Sequence, residues 1–331
     1  MAEVGVVIVG AGMIAHSHAT ALDRIQGVRV THVVSTRIEA AEEVARLAGG
    51  AIATTDRQAA LGDPRVGAVV ISTPTDSHAE LSIEAMRRGK AVLVEKPVAL
   101  SLADFDRMTA AAEANRVSLM VGQTSRFQPV HMELHRAVSE GAVGRLRAVK
   151  LTWYVGHVWP HAWRAWQLDP ARSGGHPVHN GVHPLDLVVW LLGQAPKRVF
   201  ARSFRTFSPQ LPIPDSFHIT VRCESALALI ELSYGLTRSG ANLRRLLAIG
   251  ERGTIQHRSD EEEELLAGTA QAASPSLDRA MDNELIHWVA TLRNEAEPLV
   301  RPHEVRATLA AALAAQRSLE TGRAVDIEEV G

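Results

Sequence analysis

Lysine is nearly missing from this chain: of 35 basic residues only Lys90, Lys96, Lys150 and Lys197 are lysine, so arginine is the default cation. Where an ammonium does occur, it invites the question of what arginine could not do there. Cysteine is scarcer still. The single Cys223 excludes an internal disulfide framework and any cysteine-based zinc cluster, and it fits a reducing compartment and a small buried side chain in a strand. Charge of either sign is not in excess. A formal net charge of -2 gives no basic field for phosphate backbones or anionic lipid, so no nucleic-acid partner and no membrane partner is expected, and a small molecule is. Long apolar runs are absent too, and Met1-Ala2-Glu3 leads into an apolar strand without a basic segment or cleavage site, which points to a cytoplasmic protein.

What is present is ordinary for a globular protein. With 331 residues, 46% hydrophobic and 22% charged, the chain can build two domains with real cores. Apolar strands at 4–9, 28–34, 66–72, 91–94 and 117–121 alternate with helical patterns at 13–24, 38–47, 77–88 and 102–115. That alternation predicts a Rossmann-type, doubly wound parallel sheet covered on both faces, in a first domain over 1–122. Beyond it the pattern changes. A helix at 129–139, a long strand at 146–155, a loop rich in Trp, His, Pro and Gly, a helix at 184–192 and then strands near 198–204, 216–223, 226–233, 243–249 and 253–256 predict a second α/β domain over 123–331. Its sheet is expected to be open and predominantly antiparallel, with one face free for self-association. Helices at 277–293 and 303–321 end the chain; the last is a candidate to pack back on the first domain.

Gly10-Ala11-Gly12-Met13-Ile14-Ala15 lies between the first strand and helix and fits G-x-G-x-x-G/A. The first glycine permits a tight turn, the second a close approach of a pyrophosphate, and the helix N-terminus offers free N–H groups to it. The second strand ends on Ser35-Thr36-Arg37, without the carboxylate that would accept a bond from the ribose of NAD. Arg37 is available to pair with a 2′-phosphate, so NADP(H) is the favoured cofactor over NAD(H). Ser72-Thr73-Pro74, with His78 behind it, ends the next strand where a doubly wound sheet opens its ligand crevice, and is expected to line the nicotinamide side. Glu95-Lys96-Pro97 ends the strand after that. A compact ammonium whose pKa yields to burial suits the polarising of a substrate oxygen.

A second cluster sits in the other domain. His176, His179, His183 and Asp186 follow Gly174-Gly175, and an imidazole there would exchange the proton of a substrate hydroxyl. Their spacing also approaches that of zinc ligands, but Gly181 and Pro184 argue against one continuous helix, and no metal is expected. A purely structural histidine cluster is the plainer alternative. Trp153, His157, Trp159, His161, Trp163, Arg164 and Trp166 precede it, a set in which aromatic faces would meet sugar C–H faces and polar groups the hydroxyls.

The Gly10–Ala15 turn, Glu95-Lys96-Pro97 and the segment from Gly174-Gly175 to Gly181-Val182-His183-Pro184-Leu185-Asp186 together resemble the Gfo/Idh/MocA oxidoreductase family, named for glucose-fructose oxidoreductase and inositol dehydrogenase. The resemblance runs the full length, to Ser318-Leu319-Glu320-Thr321-Gly322 in the last helix. It implies oxidation of a sugar or cyclitol or reduction of a ketosugar, and a homodimer or homotetramer formed through the second sheet. It implies that Lys96 contacts substrate and nicotinamide, and that His183 is the catalytic histidine. One position departs from the pattern: His179 stands where the family usually carries Asp, and cannot orient an imidazole with a fixed negative charge. The family also includes glycosidases that use the cofactor transiently. The lost Asp leaves a non-catalytic, cofactor-binding sensor as a further alternative.

Overall fold

The structure is a computed structural model and describes residues 3–156, 164–205, 214–236, 242–259 and 277–331. They divide into two compact units, Met1–Phe127 with Asp278–Pro302, and Gln128–Leu277 with His303–Gly331. The division falls after a short 3-10 turn, Thr124–Phe127, that follows the last strand of the first sheet.

The first unit runs β1 (Val4–Val9), α1 (Met13–Leu22), β2 (Val28–Val34), α2 (Ile38–Leu47), β3 (Ile52–Thr54), α3 (Arg57–Gly62), β4 (Val66–Ile71), α4 (His78–Arg87), β5 (Ala91–Glu95), α5 (Leu102–Asn115) and β6 (Leu119–Gly122). Its strands pair in the order β3-β2-β1-β4-β5-β6, all in parallel. Val6, Val7, Ile8, Val69, Val70, Ile71 and Val94 are wholly buried. Strands covered on both faces read as continuous apolar runs rather than alternating ones, which is why this sheet shows so clearly in the sequence.

The second unit opens with α6 (Pro129–Ser139) and β7 (Leu146–Gly156), then the short helices α7 (Ala165–Leu168), α8 (Pro170–Ser173) and α9 (His176–His179), and α10 (Val182–Leu192). Strands β8 (Arg198–Phe204), β9 (Ser216–Arg222), β10 (Leu227–Leu236), β11 (Asn242–Gly250) and β12 (Thr254–Arg258) follow. Helix α11 (Leu277–Leu292) then belongs, from Asp278 onward, to the first unit, while α12 (Pro302–Thr321) and β13 (Val325–Asp326) complete the second. The penultimate helix, rather than the last, is thus the one that returns to the first unit.

The second sheet is ordered β12-β11-β7-β10-β9-β8-β13, and every neighbouring pair is antiparallel except β7 with β10. Helix α10 packs on β7 and β10 and covers one face. Leu227, Leu229 and Ile249 are exposed on the other, Leu227 and Ile249 both being register partners of Ala148. Among the described residues no helix is long and apolar enough to cross a membrane.

Candidate active site

In the first unit the candidate residues lie at the carboxyl ends of four adjacent strands, β2, β1, β4 and β5. After β1 the chain turns at Gly10, with φ +106, where an added Cβ would stand 2.6 Å from the Ser72 carbonyl oxygen. That glycine is required by the protein itself. Gly12, at the N-cap of α1, differs. A Cβ there would meet nothing within 4 Å, while Met13 is 70% exposed beside it. Open space in front of a helix N-terminus with no acidic residue in its first turn is what a diphosphate needs, and the residues present fit a dinucleotide.

Ser35, Thr36 and Arg37 follow β2, with the Arg37 N–H donating to the Ser35 hydroxyl at 3.3 Å and both Thr36 and Arg37 exposed. The Ser72 hydroxyl donates to the carbonyls of Val9 (3.3 Å) and Gly10 (3.4 Å), so it braces the glycine turn. Thr73 and Pro74 are half-buried, and the Thr73 hydroxyl accepts from Ser77 at 2.7 Å. His78 is buried. Its ring nitrogens lie 2.9 Å from the Pro97 carbonyl and 2.8 Å from the Thr73 carbonyl, which ties the loop after β4 to the residue following Lys96. Having both nitrogens engaged, His78 holds the loops of the site in place rather than presenting a free donor.

Lys96 is half-buried at the end of β5, and Lys96-Pro97 is a cis peptide. Burial lowers the ammonium's pKa below the usual lysine value, with the negative charge of Glu95 opposing the shift. Glu95 is turned inward. One carboxylate oxygen meets His18 Nε2 at 2.8 Å and the other accepts the Lys96 N–H at 3.1 Å, so Glu95 supports the strand end that carries Lys96. Glu284 of α11 lies in the same unit and was not foreseen. It accepts from the Thr124 hydroxyl at 2.9 Å, its other oxygen has no hydrogen-bond partner among the described residues, and burial, aided by Glu95, pushes its carboxyl pKa well up. The signal was available: Glu284 occupies the helix face of the buried Met281, Leu285 and Trp288.

In the second unit, Gly174 and Gly175 have φ +81 and +83, and a Cβ on Gly175 would collide with the Gln316 side chain. The histidine segment then forms two helices. The break falls at Asn180-Gly181, and position 181 needs glycine because a Cβ there would lie 2.5 Å from the Pro177 carbonyl oxygen. Helix α10 begins at Val182, two residues before the expected start at Pro184, because a proline in the first turn lacks only an N–H that has no partner inside the helix. His183 is the one residue of α10 that is not buried, and its ring stacks on Trp153 at 6.2 Å and 11°.

His179 is buried in α9, edge-on to Trp166 at 5.2 Å, with Nε2 3.1 Å from Gln167 Nε2. Gln167 Oε1 accepts the Arg164 N–H at 2.7 Å, which fixes the amide with its NH2 toward His179. His176 sits between Phe217 and Tyr234, and burial pulls its pKa down to about 3 against the pull of Asp215, so it is a neutral imidazole at physiological pH. Asp186 is fully buried and accepts from Thr308 at 3.2 Å. The Arg164 side chain is exposed. His157, Trp159, His161 and Trp163 lie outside the described residues. Among those described, no three His, Cys, Asp or Glu side chains are grouped to hold a metal ion.

Comparison with known proteins follows these two halves. Residues 4–123 match the model described as an oxidoreductase family with an NAD-binding Rossmann fold, and residues 131–256 match a GFO/IDH/MocA C-terminal domain. The chain is 29% identical over 299 residues to 4-carboxy-2-hydroxymuconate-6-semialdehyde dehydrogenase of Sphingobium sp., covering 88% of this chain and 91% of that one. It is 27% identical to myo-inositol 2-dehydrogenase of Thermotoga maritima over 98% of both. A myo-inositol dehydrogenase from Corynebacterium glutamicum shares the fold, with a TM-score of 0.82 over 98% of each chain at 22% identity. With family models matched over residues 4–123 and 131–256, the chain belongs to the GFO/IDH/MocA oxidoreductase family.

Proposed function

We propose that this protein is an NAD(P)-dependent dehydrogenase or reductase that moves hydride between nicotinamide C4 and a secondary hydroxyl or ketone of a sugar, sugar derivative or cyclitol. The observation that carries the reading is the glycine turn with open space before Gly12, set one strand from Ser72-Thr73-Pro74 and two from Lys96 at the same sheet end. Relatives named as inositol dehydrogenases supply the substrate class.

Bound at that turn, the nicotinamide cofactor supplies the hydride acceptor or donor. Gly12 would bring its backbone N–H to the diphosphate, with Met13 and Ile14 beside it, while Gly10, whose own N–H donates to the Val34 carbonyl at 2.9 Å, shapes the turn. Lys96 donates a hydrogen bond to the reacting oxygen and stabilises negative charge as it develops there. The lowered ammonium pKa makes that donor a stronger acid than a free lysine, and the negative charge of Glu95 opposes the shift. His183 accepts the hydroxyl proton during oxidation and returns it during reduction. His179, held by Gln167, contacts a substrate hydroxyl, Trp153 backs the His183 ring on the substrate side, and Arg164 supplies a further polar group.

NADP(H) is the preferred cofactor in this reading. Arg37 is exposed beside the position of the ribose, makes no ion pair among the described residues, and no carboxylate stands in Ser35-Thr36-Arg37 to repel a 2′-phosphate. The exposed apolar row of Leu227, Leu229 and Ile249 is covered by a second copy of the chain, as a homodimer or homotetramer in the cytoplasm. Separate fluorescence titrations with NADPH and NADH test the cofactor assignment. NADPH is expected to bind more tightly, and Arg37→Ala to erase the difference; equal affinities in the parent protein would refute the phosphate role, and binding of neither would refute the oxidoreductase reading.

A further inference from the structure

Four side chains on β9, β10, β7 and β11 lie in one cross-strand row: Phe217, Leu232, Trp153 and Arg244 are register partners and so share a face. Three of them are apolar. The fourth is a guanidinium, only 7% exposed, whose Cζ lies 3.7 Å over the Trp153 ring that also stacks on His183. Its neighbour in sequence, Arg245, points to the opposite face by the alternation of the strand.

A cation carried this far from water is stable only if something offsets the loss of hydration. The described partners do so incompletely. Arg244 Nε donates to Asn242 Oδ1 at 3.2 Å and Nη1 to Gln128 Oε1 at 2.9 Å, both neutral amide oxygens. Among the described residues no carboxylate pairs with it, and no hydrogen bond from Nη2 is formed. Asp215, buried just before β9, takes the Ser216 hydroxyl at 3.0 Å and acts electrostatically on His176. Burial pulls the Arg244 pKa down to about 10, with the Tyr234 phenol acting against the shift, so the group remains a cation at neutral pH. What is left is a charged, planar edge beside an indole face, in the aromatic stack that contains His183.

We infer that Arg244 is the anion-recognising residue of the substrate pocket, and that the substrate is a carboxylate-bearing polyhydroxy compound, a sugar acid or an acidic cyclitol relative, rather than a neutral polyol. The inference rests on the reading of His183 as a substrate-facing residue. A carboxylate matches the planar fork of donors on a guanidinium, and Nη2, which makes no hydrogen bond among the described residues, is the donor left for it. The same charge that orients the acid would reject cationic amino sugars by leaving two like charges together.

The test uses the full chain with saturating NADPH, titrated with D-glucuronate and with its neutral isostere D-glucuronamide. Glucuronate is expected to bind about tenfold or more tightly than the amide, the effect of one charge-assisted hydrogen-bond pair. Arg244→Gln should remove that preference while NADPH affinity and melting temperature stay near those of the parent, and Arg244→Lys, which keeps the charge without the fork, should retain part of it. Equal affinities in the parent, or a preference that survives in Arg244→Gln, would overturn the assignment. Tighter, Arg244-dependent binding of D-glucose 6-phosphate than of glucuronate would replace the carboxylate by a phosphate and overturn it as well. Cofactor reduction followed in the same samples separates the two claims: Arg244-dependent acid binding without hydride transfer sinks the oxidoreductase reading alone, and hydride transfer at equal rates on acid and amide sinks the anion site alone.

Discussion

Gly10 and Gly12 stand two residues apart and are required for different reasons. A side chain at Gly10 would run into the Ser72 carbonyl and be held at φ +106, whereas one at Gly12 would project into space that the protein leaves empty. Gly10→Ala is therefore expected to cost about 1–3 kcal/mol of stability, read as a lower melting temperature. Gly12→Ala should melt like the parent and lose affinity for NADPH. If Gly12→Ala binds the cofactor as the parent does, the diphosphate does not lie there. Lys96 makes a second prediction at this scale. Lys96→Ala should lower kcat about a hundredfold or more while the dissociation constant of NADPH changes little, as expected of an ammonium that acts, as proposed, on the substrate oxygen. An equal loss in cofactor affinity would make Lys96 a cofactor ligand instead.

At the scale of elements, α11 brings Glu284 from late in the chain into the interior of the first unit. Its folded-state pKa is raised well above the ordinary glutamate value of 4.5, so above that pH the folded chain keeps a proton that the unfolded chain releases. The stability this contributes is complete below 4.5 and is lost as pH rises through the folded pKa. Glu284→Gln carries no such proton. The melting temperature of Glu284→Gln relative to the parent should thus climb with pH above 4.5, and a difference independent of pH would show that Glu284 is ionised in the folded state. Sequence reading found the elements far better than their partners. The continuous apolar strands of the first sheet, the glycine turn and the helix ending at Leu192 are local signals, and they stand in the structure where they were expected. The parallel pairing of β7 with β10, the return of α11 to the first unit and the support of Lys96 by His18 through Glu95 depend on residues far apart in sequence, which no local periodicity encodes. Arg244 lay between these cases. Two consecutive arginines in a strand, Arg244-Arg245, must face opposite sides, so one was bound to turn toward the covered face of a sheet with a single open one.

At the scale of the whole molecule, the second sheet does two jobs with its two faces. The covered face carries Trp153, Phe217 and Arg244 beneath the histidine helices, and the open face carries Leu227, Leu229 and Ile249. Apolar residues aligned across strands on an open face are a liability in a monomer and an interface in an oligomer. Leu229→Glu should shift the protein to monomer in size-exclusion chromatography with light scattering, leaving cofactor affinity unchanged; a parent protein that already runs as a monomer would contradict the assembly. The sheet that carries this exposed row also carries His183's stacking partner, so self-association there, as proposed, would stiffen the substrate side of the chemistry without entering it.

The central claim is that His183 exchanges a proton while hydride passes to or from a nicotinamide. The most direct measurement follows cofactor absorbance with the parent protein and His183→Ala across a panel of cyclitols, neutral sugars and sugar acids, with NADP and NAD in turn. The account predicts hydride transfer to at least one member of the panel, lowered about a hundredfold or more in His183→Ala with cofactor affinity unchanged. Hydride transfer undiminished in His183→Ala, or none in the parent with any pairing of cofactor and substrate, would contradict it.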